Sequence, residues 1–156
     1  LSWSGDDFSD AIKLEVSPRI TAVAFIPSNH VPTSKARKML PDVIPHADAV
    51  QNSINTAILT QALTSRPDLL LRATEDYLHQ SYREAAMPKS YALMKKLRAA
   101  GVPAFISGAG PTVLALLVDA DLHNDIEMGD LIKAAGAGFS VENMDISPVG
   151  CQVSNI

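Results

Sequence analysis

Three short stretches of this 156-residue chain combine residue types that handle anions. Gly108-Ala109-Gly110-Pro111-Thr112 sets two glycines around an alanine, which lets backbone N–H groups approach a bound anion closely. It is not a dinucleotide fingerprint, because Val113 stands where G-x-G-x-x-G needs its third glycine. It is not a Walker loop either, since no Gly-Lys-Ser/Thr follows. Taken alone, the turn reads more simply as a tight hairpin that needs positive φ. Thr33, Ser34 and Arg37 follow a strand-like run and open a helix. That brings a hydroxyl, free N–H groups and a guanidinium together, a setting for phosphate or carboxylate, although a capped surface helix uses the same residues. In His79-Gln-Ser-Tyr-Arg83, Arg83 offers a bidentate carboxylate contact, or else a solvated helix end.

Other chemistries find no support. His30, His46, His79 and His123 show no metal-ligand spacing, and no G-x-S-x-G occurs. Cys151 is the only cysteine, which excludes an intramolecular disulfide and a Cys-based zinc site and makes a reducing cytoplasm the expected compartment. Thirteen Lys and Arg against 17 Asp and Glu give a net charge of −4 and no reason to expect nucleic acid. No run of 18 apolar residues is present to span a membrane, and the first residues resemble no signal peptide. The start at Leu1 instead of Met leads us to expect a piece of a longer polypeptide. Beyond Arg98 the only basic residue is Lys133, so an anionic ligand is sought in the middle of the chain.

The elements that must position these residues can be read from periodicity. With 47% apolar and 19% charged residues, the chain is globular and of one-domain length. Ile20–Ile26 reads as a buried strand, and Pro32–Pro41 holds a short helix capped by Thr33 or Ser34. Ala47, Val50, Ile54, Ala57, Ile58 and Ala62 follow helical spacing over Ala47–Leu63. Ser65 is expected to cap a further helix, with Pro67 in its first turn and Asp68 completing a capping-box-like pattern. That helix carries Leu69, Leu70, Ala73 and Leu78 and fades near His79–Arg83. Another spans Ser90–Ala100, with Lys95, Lys96 and Arg98 outward and Gly101 as its left-handed stop. Pro103–Ser107 and Thr112–Val118 are strands joined by the glycine turn. A weaker helix over Ile126–Ala137, closed by a structural Gly136-Ala-Gly138, precedes a strand at Phe139–Ile146. The order predicts an α+β fold, a small and mostly antiparallel sheet with helices packed on one face.

Three motifs together resemble one family. Ser107-Gly-Ala-Gly-Pro-Thr-Val-Leu-Ala-Leu116 resembles the C-terminal glycine-rich motif of the GHMP small-molecule kinases. Thr33-Ser-Lys-Ala-Arg37 with Leu40-Pro41 is similar to the S/T-x-x-A-R…L-P segment of homoserine kinases. Leu78-His-Gln-Ser-Tyr-Arg83 with Met87-Pro88 is similar to their L-H-Q-P-Y-R…P segment, with Ser81 in place of the first proline. The family's F-N-x-S-R pattern reads Gln51-Asn52-Ser-Ile-Asn55, which leaves only Asn52 in register and no role for position 55.

The resemblance covers nearly the whole chain but only the C-terminal half of the family's polypeptide. It implies that residues 1–156 form one GHMP kinase C-terminal domain, with 1–18 as the tail end of the N-terminal domain. The implied activity is transfer of the ATP γ-phosphate, with Mg²⁺, to the hydroxyl of L-homoserine in cytoplasmic threonine biosynthesis. On the family pattern Arg37 and Arg83 grip the substrate carboxylate in one pocket, and Thr33 lies near the γ-phosphate. Gly108, Ala109, Gly110 and Thr112 pack against the phosphate loop of the other domain. Metal ligands and any base are expected in that N-terminal domain, so no catalytic residue is assigned here. The chain alone is then expected to be inactive, with an apolar face around Gly108–Pro111 and the start of the Thr33 helix. That face would meet the N-terminal domain or form a homodimer. The alternatives are a non-catalytic amino-acid-sensing module and another GHMP kinase, such as one for mevalonate.

Overall fold

The structure, a computed structural model, describes residues 2–4, 9–118 and 128–147. Cys151, His123 and the first two residues of the expected 126–137 helix lie outside the described residues. Two short strands, β1 (Ser2–Ser4) and β2 (Ser9–Ala11), pair only with each other. The β-branched and aromatic run Ile20–Pro27 forms β3, one of two strands with partners on both sides. Five residues, Thr33–Arg37, make α1. Next come α2 (His46–Thr64), a 3₁₀ turn at Pro67–Leu69 and the single-turn α3 (Leu70–Ala73). A second 3₁₀ turn at Glu84–Ala86 leads into α4 (Pro88–Ala99). β4 (Ala104–Ile106), β5 (Val113–Val118), α5 (Met128–Ala135) and β6 (Phe139–Met144) complete the order.

The main sheet runs β4-β5-β3-β6, and every neighbouring pair is antiparallel. The expected antiparallel α+β architecture is therefore present. Alternation along the strands sends Val23, Phe25, Ala104, Ile106, Val113 and Ala115 to one face. There they meet Leu93, Met94 and Leu97 of α4 and Leu131 of α5. Ile20, Ala22, Leu116 and Val118 point the other way and bury Ala62 of α2 with Leu70 and Ala73 of α3. The helices do not all pack on one face as expected: α4 and α5 cover one face, and α2 and α3 cover the other. Both faces need cover because β5 is apolar at every position, Val-Leu-Ala-Leu-Leu-Val. Among the described residues no helix is long and apolar enough to cross a membrane.

Several local expectations give way to side-chain bonding. Pro32 occupies the cap of α1, and neither Thr33 nor Ser34 makes a capping bond. Ser65 closes α2, its N–H donating to Gln61 O, while Asp68 pairs with Arg66 instead of capping. The helix expected to reach His79 stops at Ala73, where the Thr74 hydroxyl donates to Leu70 O and the backbone departs. The apolar stripe of α2 is largely outward. Val50 and Ile54 are 45% and 46% exposed, whereas Asn55 is 1% exposed. Arg98, expected outward, turns in: its guanidinium donates to Thr74 Oγ1, Ala104 O and Leu71 O, tying α4 to α3 and β4.

Gly101 stops α4 at φ +84°, as expected. The β4–β5 turn is closed by Ser107 N–H donating to Thr112 O and Gly110 N–H to Ser107 O, both at 2.9 Å. Gly108 and Gly110 both have positive φ, but only Gly110 is also hemmed in. A Cβ there would stand 2.5 Å from Met87 Sδ and 2.9 Å from Ile106 Cγ2, and both residues belong to the buried core. Gly108→Ala should therefore cost about 1–2 kcal/mol for the left-handed backbone alone. Gly110→Ala should add roughly 1–3 kcal/mol of overpacking. Urea unfolding of the two variants checks the order, and equal losses would contradict it.

Candidate functional site

Beside the glycine turn lies a cleft of about 360 Å³. One wall is α2, through Asn52, Asn55 and Leu59. The opposite wall is the irregular segment after α3, and the floor is Phe105, Ile106 and Gly108. That segment has almost no backbone ladder of its own, so its polar side chains build it. Asp76 is the organiser. Its carboxylate accepts the N–H of Gln80 at 2.6 Å, the N–H of His79 at 2.8 Å and the His79 ring Nδ1 at 3.0 Å. Burial pushes the Asp76 carboxyl up, but the amides of Gln80 and His79 and the imidazole outweigh it and hold it below the ordinary carboxylate range.

α2 fastens the segment from the other side. Asn52 Oδ1 accepts the N–H of Tyr77 at 3.1 Å, and the Asn55 amide donates to Glu75 O at 3.0 Å. Asn55 Oδ1 in turn accepts from the Gln51 amide at 3.0 Å. This explains a buried polar residue in the middle of an apolar-looking helix. Glu75 is held as well, by the Tyr77 hydroxyl at 3.2 Å and by Arg98 at 3.8 Å. Burial lowers the Arg98 pKa, with Glu75 opposing the fall.

Gln80 and Arg83 close the segment onto the sheet. Gln80 Oε1 accepts the buried N–H of Ile106 at 2.6 Å. Arg83, only 9% exposed, donates from Nη1 to Gly108 O at 3.0 Å, and its buried Nε has no partner. An unpaired guanidinium N–H in a dry setting is costly.

Of the residues singled out from sequence, Arg83 and Gly108 line this cleft together. Ala109 packs on the core, Gly110 lies against Met87, and Thr112 lends its carbonyl to the turn. Thr33 and Arg37 lie exposed on α1, outside the lining of the cleft, so the two arginines do not share it here. What seats α1 is Ala36, fully buried in the same apolar cluster as Met87 and Ile106. The expected apolar face at the turn is likewise not found. Pro111 is buried, Thr33–Lys35 are exposed and polar, and the large exposed apolar side chains include Val43, Val50 and Ile54. Asn55, Asp76 and Gln80 were not singled out. Their roles depend on backbone partners far along the chain, and only the presence of Gln80 inside the Leu78–Arg83 motif offered a signal. Among the described residues no group of His, Cys, Asp or Glu is placed to hold a metal ion.

Residues 54–127 match the family model described as GHMP kinases C terminal. A homoserine kinase of Streptomyces avermitilis is 45% identical over 153 residues, covering 98% of this chain and 48% of that protein. Those of Streptomyces coelicolor and Rhodococcus erythropolis are 46% and 42% identical, with 98% and 99% of this chain covered. Residues 54–127 are thus similar to the GHMP kinase C-terminal domain, and nearly the whole chain is similar to the C-terminal half of the homoserine kinases. It spans about half the length of the curated relatives it matches. The fold is also that of a crystal structure of homoserine kinase from Cytophaga hutchinsonii, with TM-score 0.74 and 24% identity over 90% of this chain and 45% of that one.

The Asp76 bonds have a pH signature. A carboxyl held below its ordinary value stabilises the fold fully above about pH 4, and that stabilisation is lost as pH falls through the lowered folded-state pKa. Asp76→Asn should cost about 1.5–3 kcal/mol near pH 7, the range for hydrogen bonds to a charged group. Melting curves of both proteins should converge as pH drops below about 4. A gap that stays constant down to pH 2 would contradict the assignment.

Proposed function

We propose that this chain is the C-terminal domain of a homoserine kinase. In that reading the complete polypeptide moves the γ-phosphate of ATP onto the side-chain hydroxyl of L-homoserine, in cytoplasmic threonine biosynthesis. The observation that carries it is the buried Arg83, anchored at one end on Gly108 O and unpartnered at Nε, in a cleft that also holds carboxylates. Arg83 suits a substrate carboxylate, while Glu75 and Asp76 give the same cleft a negative character that suits an ammonium group. A zwitterionic amino acid meets both demands. Mevalonate carries a carboxylate but no ammonium, so the cleft favours homoserine over that alternative.

Phosphoryl transfer depends mostly on positioning and charge neutralisation. This domain would supply the positioning of the acceptor. Arg83 holds the carboxylate, and its bond to Gly108 sets the glycine turn beside the bound amino acid. Arg37 and Thr33, exposed on α1, would join the site when an N-terminal domain closes over it. Ala109, Gly110 and Thr112 would line that domain's phosphate loop. Among the described residues no group of three or more His, Cys, Asp or Glu is placed to hold a metal ion. ATP supplies the phosphoryl group, and the residues that would bind it and Mg²⁺ are assigned to the N-terminal domain.

The test is kinetic, on the two-domain polypeptide joining this chain to its N-terminal partner. Arg83→Lys should raise KM for L-homoserine by about 10–100-fold, because a point charge replaces a planar fork. KM for ATP should stay within about twofold. The isolated chain should show no micromolar ATP binding by calorimetry with Mg²⁺ present. A two-domain protein that binds homoserine but forms no ADP would favour a sensing module instead.

A further inference from the structure

The cleft contains a second buried polar side chain whose bonding is one-sided. Gln80 is 9% exposed and lines the cleft beside Arg83. Its bond to Ile106 identifies which end is which: a backbone N–H can only donate, so the amide atom 2.6 Å from Ile106 N is the oxygen Oε1. The NH₂ end takes no part in that bond. Arg83, three residues on, is fastened in the same way, with Nη1 on Gly108 O and a buried, unpartnered Nε. Two side chains that line the cleft are thus clamped to successive points of the β4–turn backbone, and the Gln80 NH₂ is left without a partner. The carboxylates nearby do not compete for these donors. Asp76 is occupied by three amides and an imidazole, and Glu75 by Tyr77 and Arg98.

We propose that Gln80 is a second substrate-binding residue, whose Nε2 donates to the carboxylate that Arg83 grips and so helps select an amino acid bearing a free carboxylate. This rests on the reading of the cleft as the homoserine site. The physical reason for a glutamine is double duty. Its oxygen satisfies a buried strand N–H, which fixes the amide's rotation, and that rotation aims the donors. Leucine or methionine would fill the space but orphan the Ile106 N–H. Glutamate would keep that N–H satisfied and turn the cleft-facing donor into a negative acceptor.

Gln80→Glu is therefore the informative variant, because it retains the fold contact and reverses only the end facing the ligand. In the two-domain polypeptide it should raise KM for L-homoserine by about 10–100-fold, with kcat and KM for ATP within about threefold. Its melting temperature at pH 8 should match the parent's. The same variant should bind 2-amino-1,4-butanediol, which has a CH₂OH in place of the carboxylate, no more weakly than the parent does, measured as a competitive inhibition constant. Calorimetric titration of L-homoserine into both proteins reads the same contrast without turnover, so a failure of the kinase reading does not hide the result. An unchanged affinity for L-homoserine in Gln80→Glu would overturn the proposal. Equal losses for homoserine and the carboxylate-free amine would overturn it too, since that pattern belongs to a purely structural glutamine. Absence of phosphotransfer by the parent, with the binding contrast intact, would strike the proposed function and leave Gln80 in place.

Discussion

Everything about the site depends on a stretch of chain that lacks regular secondary structure being held still. Between Ala73 and Pro88 the backbone forms turns and a single 3₁₀ element, and such a stretch leaves its own N–H and C=O groups wanting partners. The protein meets this with side chains. Asp76 gathers the amides at the start of the turn, and Asn52 and Asn55 pin the segment to α2. Gln80 and Arg83 pin it to β4 and the glycine turn. Arg98 reaches from α4 to lock Thr74 and Leu71. Each of these bonds is modest alone, but they share one short segment and so act cooperatively. The cleft is the space they enclose.

That arrangement also explains why binding and stability are entangled here. The side chains that would touch a ligand are the ones fastening the loop to the sheet. Arg83 is at once a clamp on Gly108 and the holder of an unpartnered N–H. A group left unsatisfied in a buried setting costs free energy that an arriving acceptor recovers. The glycine turn is part of the same system. Gly110 lets Met87, at the end of the clamped segment, press against the turn, so the segment and the turn are packed together as well as hydrogen-bonded.

Much of the fold was legible in the sequence because periodicity and turn chemistry report burial directly. The strand over Ile20–Pro27, the β4–β5 hairpin and the stop at Gly101 all followed from local signals. The errors share one cause. Ser65, Asp68, Arg98 and Asn55 are polar residues whose partners are chosen by tertiary geometry, which no window of neighbouring residues contains. Asn55 shows this most clearly: its apolar neighbours Val50 and Ile54 face outward, while its own amide is buried because Glu75 O needs a donor. The same holds for the site. Arg83 was legible from its motif, whereas Gln80 and Asp76 gained roles only once their backbone partners came into view. The separation of Arg37 from the cleft was beyond reach of sequence, since α1 is positioned by the burial of Ala36 and not by either arginine.

The most direct measurement is a crystal structure of the two-domain polypeptide with L-homoserine bound. The carboxylate should lie within about 3.2 Å of the Arg83 guanidinium, with the Gln80–Ile106 and Arg83–Gly108 bonds both kept. The ammonium should lie on the side of the cleft where Glu75 and Asp76 lie. Homoserine seated elsewhere would show that this clamped segment does not form the amino-acid site.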